Sequence, residues 1–317
     1  MNKKDCILPF WFYSGVILVL RKLPLLMRLP VYLIRRKALG DVLWIEPVIR
    51  QLSKKHRKVI VYTKFNPLFE NYPAHNVIFK NKLNVVEKLL GWLKVFKFIL
   101  LDKAYEARPQ MHFLHAYQLE AGVPQKDEYP RLYLNDAERK EFSHEKPYVV
   151  LHINTPSEKN YRKVYGINWE EVVAFLHSKN LQVISPGSQI NPIPRVKYCN
   201  TSIRQLIALI YNASLFIGID SGPSHIAASL NIPSVLFFGS VNPVYRHFEK
   251  QHNAVIMQKP CVYAGCYHTP TKELHGNTCK LVGNEGMPPC TFHTTKELID
   301  NLNKLILKSG RGAIHNA

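Results

Sequence analysis

Residues 216–239 read FIGIDSGPSHIAASLNIPSVLFFG, two apolar runs on either side of the polar knot Asp220-Ser221-Gly222-Pro223-Ser224-His225. The runs LFIGI (215–219) and SVLFF (234–238) show no polar alternation, the pattern of strands covered on both faces of a parallel sheet. Between them Pro223 occupies a position where a helix start tolerates a missing amide donor, and SHIAASL continues the helix. The stretch predicts strand, turn, helix, strand. Its polar knot then sits at the carboxyl end of a buried strand, where ligands bind in open α/β sheets.

The same alternation extends in both directions. YVVLHI (148–153) and LQVIS (181–185) read as further buried strands, and NWEEVVAFLHSK (168–179) and SIRQLIALIYNA (202–213) as the helices between them. Upstream, VYLIR (31–35), KVIVY (58–62) and KFILL (97–101) are strand-like. A helix opening at Gly40-Asp41 carries Val42, Ile45, Val48, Ile49 and Leu52 at helical spacing, and RPQMHFLHAYQLEAG (108–122) reads as a helix closed by Gly122. The charged stretch NDAERKEFSHEKP (135–147) has the look of an interdomain linker. Two doubly wound α/β domains in tandem are expected, 31–145 and 146–317, after a basic apolar segment at 1–30.

With 317 residues the chain is long enough for two cores. Its 42 Lys and Arg against 23 Asp and Glu leave a formal charge of +19, more than solubility requires, so an anionic partner is expected. The opening CILPFWFYSGVILVL is 15 uncharged residues interrupted by Pro9 and Gly15, short of the roughly 20 that cross a bilayer. RKLPLLMRLPVYLIRRK follows, with basic residues every few positions, and attachment in the interface of an anionic leaflet fits this better than a span or a buried helix. NVVEKLLGWLKVFKF (84–98) reads either as a second interfacial helix or as a core-facing helix with a solvated basic face. No small-residue cleavage site follows the first apolar run, so the body is expected in the cytosol with its thiols mostly reduced. Nucleic-acid signatures are absent: no zinc-finger, RRM-like or basic-helix pattern, and no aromatic platform among the cations.

Three strand-end loops could carry chemistry. Gly40 permits a tight turn and Asp41 falls at a helix start, either as a simple cap or as a working carboxylate. At Asp220-Ser221-Gly222, free amides and close backbone approach make an anion site, with capping and a buried His225 as the plainer account. NTPSEKNYRK (154–163) offers hydroxyls and the cations Lys159, Arg162 and Lys163 to neutralise a leaving phosphate.

LGDVLWIEPVIRQL, IGIDSGPSHIAASLNIPSVLFFGSVNP and CVYAGC…C…PCTFHTTKELIDNL closely resemble, in order and spacing, the heptosyltransferase-like glycosyltransferases of family 9, over about residues 31–308. The resemblance implies the GT-B architecture, two Rossmann-like domains facing a central cleft. It implies transfer of a sugar, typically heptose from ADP-heptose, to a lipopolysaccharide-type or other glycolipid acceptor, with inversion and with no required metal or other cofactor. Carried onto this chain, Asp41 is the base with Gly40 beside it on the acceptor side. Asp220 contacts the sugar, Ser221, Gly222 and His225 hold the diphosphate, and Thr155 and Lys159 bind the leaving phosphates, with Arg162 or Lys163 as alternative cations. The implied location is the cytoplasmic face of the cell membrane, peripherally bound.

Four of six cysteines cluster as Cys261-x4-Cys266-x12-Cys279-x10-Cys290, without a C-x-x-C pair. A structural zinc, a reduced packing role and disulfides all remain readings of that spacing. Two other functions fit the architecture: a nucleotide-sugar epimerase, and an inactive module that binds anionic ligands.

Overall fold

The computed structural model describes residues 29–143, 146–154, 159–187, 192–248, 253–263, 265–268, 279–283 and 285–312. All but the last two residues of the expected membrane-associating segment 1–30 lie outside the described residues, as does Thr155.

Along the chain run β1 (Val31–Ile34), α1 (Leu39–Leu43), α2 (Glu46–Lys55), β2 (Val59–Tyr62), β3 (Val77–Lys80), α3 (Val85–Trp92), β4 (Lys97–Leu100), α4 (Phe113–Ala121) and α5 (Asp136–Lys140). There follow β5 (Tyr148–His152), α6 (Trp169–Ser178), β6 (Gln182–Pro186), β7 (Lys197–Cys199), α7 (Ile203–Tyr211), β8 (Leu215–Ile219), α8 (Gly222–Ser229), β9 (Ser234–Phe237), β10 (Ala254–Met257) and α9 (Thr295–Gly312). The strands form two sheets, ordered β3-β2-β1-β4 and β10-β9-β8-β5-β6-β7. Every ladder in them is parallel.

Sheet order locates the ligand crevices. In the second sheet the chain steps from β5 outward to β6 and β7, then returns to place β8 on the other side of β5. In the first it steps from β1 to β2 and β3 and returns to β4. The loops leaving β5 and β8, and those leaving β1 and β4, therefore diverge and open a crevice at each switch point.

Local chemistry explains the helices. The single helix expected from Gly40 to Leu52 is broken, because Pro47 cannot donate back and instead begins α2, whose Glu46 and Lys54-Lys55 suit the helix dipole. The stretch expected as a linker carries α5, capped by Asn135 and Glu138 in a reciprocal box. Glu138 also takes both Nε and Nη2 of Arg204 on α7, at 2.7 and 2.6 Å, fastening the connection to the second half.

One apolar cluster runs from Val31, Val59 and Ile99 of the first sheet through Trp44 and Phe113 to Ile226 of α8 and to Phe216 and Leu236 of the second sheet. Trp44, fully buried, packs against Phe113, Tyr129, Phe248 and His225. Truncating such a residue costs about 3–5 kcal/mol, so the two halves are held by a true core as well as by a cleft. The far face of the second sheet packs Val172 and Leu176 of α6 and Leu298, Leu302 and Leu305 of α9.

Candidate active site

The loops at the two switch points line one cavity of about 270 Å³. From the first half come Gly40, Asp41 and Tyr105; from the second come Lys159, Arg162, Lys163, Asp220, Ser221, Gly222, His225 and Arg246. Every described residue singled out in the sequence for donor or acceptor contact therefore reaches a common space.

The first-half wall is strained and charged. Ala38, in the turn from β1 to α1, has φ 62° and ψ 116°, a conformation a side chain rarely adopts. It delivers Asp41 into the first turn of α1. Oδ2 of Asp41 is paired with Nη2 of the buried Arg35 and accepts from the Tyr105 hydroxyl at 3.4 Å. The other guanidinium nitrogen of Arg35 donates to the carbonyls of Leu101 at 3.2 Å and Asp102 at 2.6 Å, past the end of β4. Burial opposes the Arg35 charge, yet the neighbouring Tyr117 and Asp41 hold its pKa above the ordinary value.

The second-half wall is a helix start. Ser221 is the extended N-cap of α8, with Pro223 in the first turn. Its hydroxyl donates to the Ile219 carbonyl at 3.1 Å and lies 3.4 Å from His152 Nδ1. Ser224 Oγ accepts from the Ser221 amide at 3.1 Å. The Ser221 amide is thus taken by Ser224 and Pro223 has none, so the Gly222 amide is the donor this helix start offers an anion. Arg162 donates to the Asp220 carbonyl at 2.7 Å, which holds a guanidinium beside that start. Arg246, buried, lies over the rings of Tyr105 at 5.0 Å and Phe113 at 4.9 Å, so a second-half cation is stacked on first-half aromatics.

The walls touch at their base. A Cβ on Gly40 would sit 2.5 Å from His225 Cδ2, and one on Gly222 would sit 2.4 Å from Leu39 Cδ2. His225 is buried, and its Nδ1 accepts from Trp44 Nε1 at 3.1 Å. That assignment places the imidazole proton on Nε2, which lies 3.6 Å from Asp220 Oδ1. Burial, then the nearby Arg246 charge, pushes the His225 pKa down to about 3, against the smaller opposing pull of Asp41. The residue therefore offers the cavity a neutral N–H and not a cation.

Arg35, Trp44, Tyr105 and Arg246 escaped the sequence reading. Arg35 follows directly on β1, and Tyr105 and Arg246 lie on the loops after β4 and β9, so position on a strand-end loop was the available signal.

Residues 110–274, just over half of the chain, match the model of glycosyltransferase family 9 (heptosyltransferase). The chain belongs to this family. Lipopolysaccharide heptosyltransferase 3 of Escherichia coli is 39% identical over 62 residues, 20% of this chain and 18% of that protein. Lipopolysaccharide heptosyltransferase 1 of Campylobacter coli is 26% identical over 136 residues, 38% of this chain and 40% of that protein. The alignments thus span between about a fifth and two fifths of these relatives' own length. Among solved structures, the dodecameric iron-containing heptosyltransferase TibC of enterotoxigenic E. coli, in complex with ADP-D-beta-D-heptose, is similar at TM-score 0.68 and 20% identity, over 90% of this chain and 79% of that one. The family 9 fold accounts for both parallel sheets: this is the GT-B architecture of two Rossmann-like halves.

The family 9 chain also gathers its late cysteines. Cys261, Cys266, Cys279 and Cys290 line a second, small cavity that shares Tyr161, Ser240 and Tyr267 with the first. Burial, then the other three thiols, pushes Cys290 up to about 12. Four sulfurs are the donor set of a tetrahedral zinc or iron site. Among the described residues no three His, Cys, Asp or Glu side chains are placed to share one ion, so these thiols would have to turn inward to hold one. Such an ion would be a structural cross-link behind the cavity wall.

Proposed function

We propose that this chain moves heptose from ADP-heptose to a saccharide of a lipopolysaccharide-type glycolipid, with inversion at the anomeric carbon. The observation that carries the reading is that Asp41, from one half, and the start of α8 at Ser221-Gly222, from the other, line a single cavity. ADP-heptose is the ligand that accompanies TibC, and both curated relatives are lipopolysaccharide heptosyltransferases.

In this reading the acceptor hydroxyl attacks the anomeric carbon as Asp41 takes its proton on Oδ1, since its contacts among the described residues fall on Oδ2. Arg35 and Tyr105 fix the carboxylate's direction. The sugar–phosphate bond breaks on the opposite face, and the departing diphosphate is met by the Gly222 amide, with Ser221 beside it, and by Lys159 and Arg162. His225 and Asp220 contribute an N–H and a carboxylate toward the sugar. Thr155 belongs to the same leaving-group loop. Nothing in these steps calls on a metal at the reacting atoms. The halves divide the work as 31–145 for the acceptor and 146–317 for the donor, and the enzyme works on the cytoplasmic face of the membrane, held by the basic segment 1–30.

The test is direct: incubate the purified chain with ADP-heptose, with and without a delipidated core oligosaccharide. ADP release that requires the acceptor, and a product whose anomeric configuration is opposite to the donor's by NMR, is expected. Donor turnover without acceptor would favour an epimerase, and absence of donor binding would leave only a binding module.

A further inference from the structure

Helix α3 is folded inside out. Its carboxylate, Glu87, is 6% exposed and points inward, accepting from the Tyr32 hydroxyl at 3.1 Å and from Lys80 Nζ at 2.5 Å. Gly91 also faces the sheet, where a Cβ would overlap the Phe98 ring. The outward side holds Val85 at 79% exposed, Val86, Leu89 at 52%, Trp92 at 78% and, just past the helix end, Leu93. At 100° per residue these five fall within an arc of about 120°, the width of an apolar face that normally meets a core. Among the described residues, none buries it.

The surroundings select the occupant. Lys88 flanks the stripe on the helix, and exposed Lys82, Lys94 and Lys97 border it. Lys82 and Lys88 also line a wide recess of about 740 Å³ with Arg36 and Lys103, reached past the exposed Leu100 at the carboxyl end of β4. An apolar stripe ending in an exposed tryptophan and ringed by lysines matches a leaflet of anionic lipid, with hydrocarbon below and headgroups at the rim. Among the described residues no helix is long and apolar enough to cross a membrane, so this face lies on the surface.

We infer that α3 is a second membrane-docking element, separate from residues 1–30, which seats the first half on anionic lipid and turns the basic recess beside it toward headgroup phosphates. The lipid contact stands whether or not the heptosyl-transfer reading holds; its use in presenting a glycolipid to Asp41 rests on that reading.

Flotation of the full-length protein with phosphatidylethanolamine vesicles, with and without phosphatidylglycerol, tests it without reference to catalysis. Binding is expected with the anionic vesicles, and Val86→Ser/Leu89→Ser/Trp92→Ser is expected to weaken it by about tenfold or more, as the loss of three apolar contacts implies. Amide exchange across 85–93 is expected to slow when vesicles are added. The inference is overturned if the folded triple variant floats like wild type, or if vesicles protect only residues 1–30. It is also overturned if the stripe proves to be covered by a second copy, seen as a fall in mass on substitution with no protection by lipid. Should the triple variant misfold, Lys88→Glu/Lys94→Glu keeps the apolar face and must lose the phosphatidylglycerol-dependent part of binding.

Discussion

Trp44 Nε1 donates to His225 Nδ1 across 3.1 Å, joining a side chain beside the first sheet to one at the start of the helix that follows β8. Phenylalanine at position 44 keeps the ring and removes the donor, leaving Nδ1 buried without a partner. Trp44→Phe is expected to lower stability by about 1–3 kcal/mol in urea denaturation, and an unchanged midpoint would contradict the bond's role.

Asp41→Asn keeps shape and hydrogen bonding but cannot accept the acceptor's proton. Turnover is expected to fall by roughly 10²–10⁴ while ADP binding by calorimetry stays near wild type. Equal turnover would remove Asp41 as the base.

Gly40→Ala tests the contact at the base of the cavity, because its Cβ would press on His225 Cδ2 at 2.5 Å. The imidazole is buried and tethered to Trp44, so it cannot swing aside, and a cost of about 1–3 kcal/mol is expected with loss of donor affinity. Gly122→Ala, where φ is +66° but no atom lies within 4 Å, isolates backbone strain and should leave donor affinity unchanged.

Burial is the leading cause that pushes three histidines down: His112 to about 2, His225 to about 3 and His152 to about 4. Each native pKa lies below the unfolded value near 6.5, so the unfolded chain takes up protons that the native state refuses. Their contribution to stability is complete above about 6.5 and erodes as pH falls toward the native values, by up to about 1.4 kcal/mol per unit for each residue. Thermal unfolding followed from about pH 7.5 to 5 should show the midpoint falling; a midpoint that rises on acidification would exclude these histidines as the controlling groups.

The thiol cavity makes its own prediction. As placed, no three of the donors among the described residues share one ion, so protein expressed in zinc-replete medium is expected to carry no stoichiometric thiolate-bound metal; one zinc per chain, lost in Cys279→Ser and Cys290→Ser, would show that the thiols turn inward. Metal-free protein with full stability would assign the cysteines to packing.

What the chain disclosed early follows from burial on two sides. Strands such as LFIGI and YVVLHI are central and covered, so their composition alone announces them, and the polar knots at their ends stand out by contrast. Of the four edge strands, β4 announces itself as KFILL, whereas β3, β7 and β10, each with partly exposed residues, escape the sequence reading. The break before α2 and the box capping α5 were both written in local residues, Pro47 and the Asn135/Glu138 pair. Trp44, Tyr105 and Arg246 act through partners distant in sequence, in the case of Trp44 and His225 181 positions apart, and no local pattern marks such pairs, whereas Arg35 stands only six positions from Asp41.

The meeting of Gly40 and Gly222 also governs how the molecule can move. With α1 and α8 in backbone contact and Trp44 bonded to His225 beside them, sliding one half past the other drives Leu39 into Gly222 and tears that bond. A swing about the line of the two helices does neither. The contact is then a fulcrum, and the mouth of the cavity gapes while its floor stays shut. Groups next to a fulcrum travel least, so a swing of this kind would leave the separation of Asp41 and Ser221 nearly fixed while the outer rim of the cavity widened.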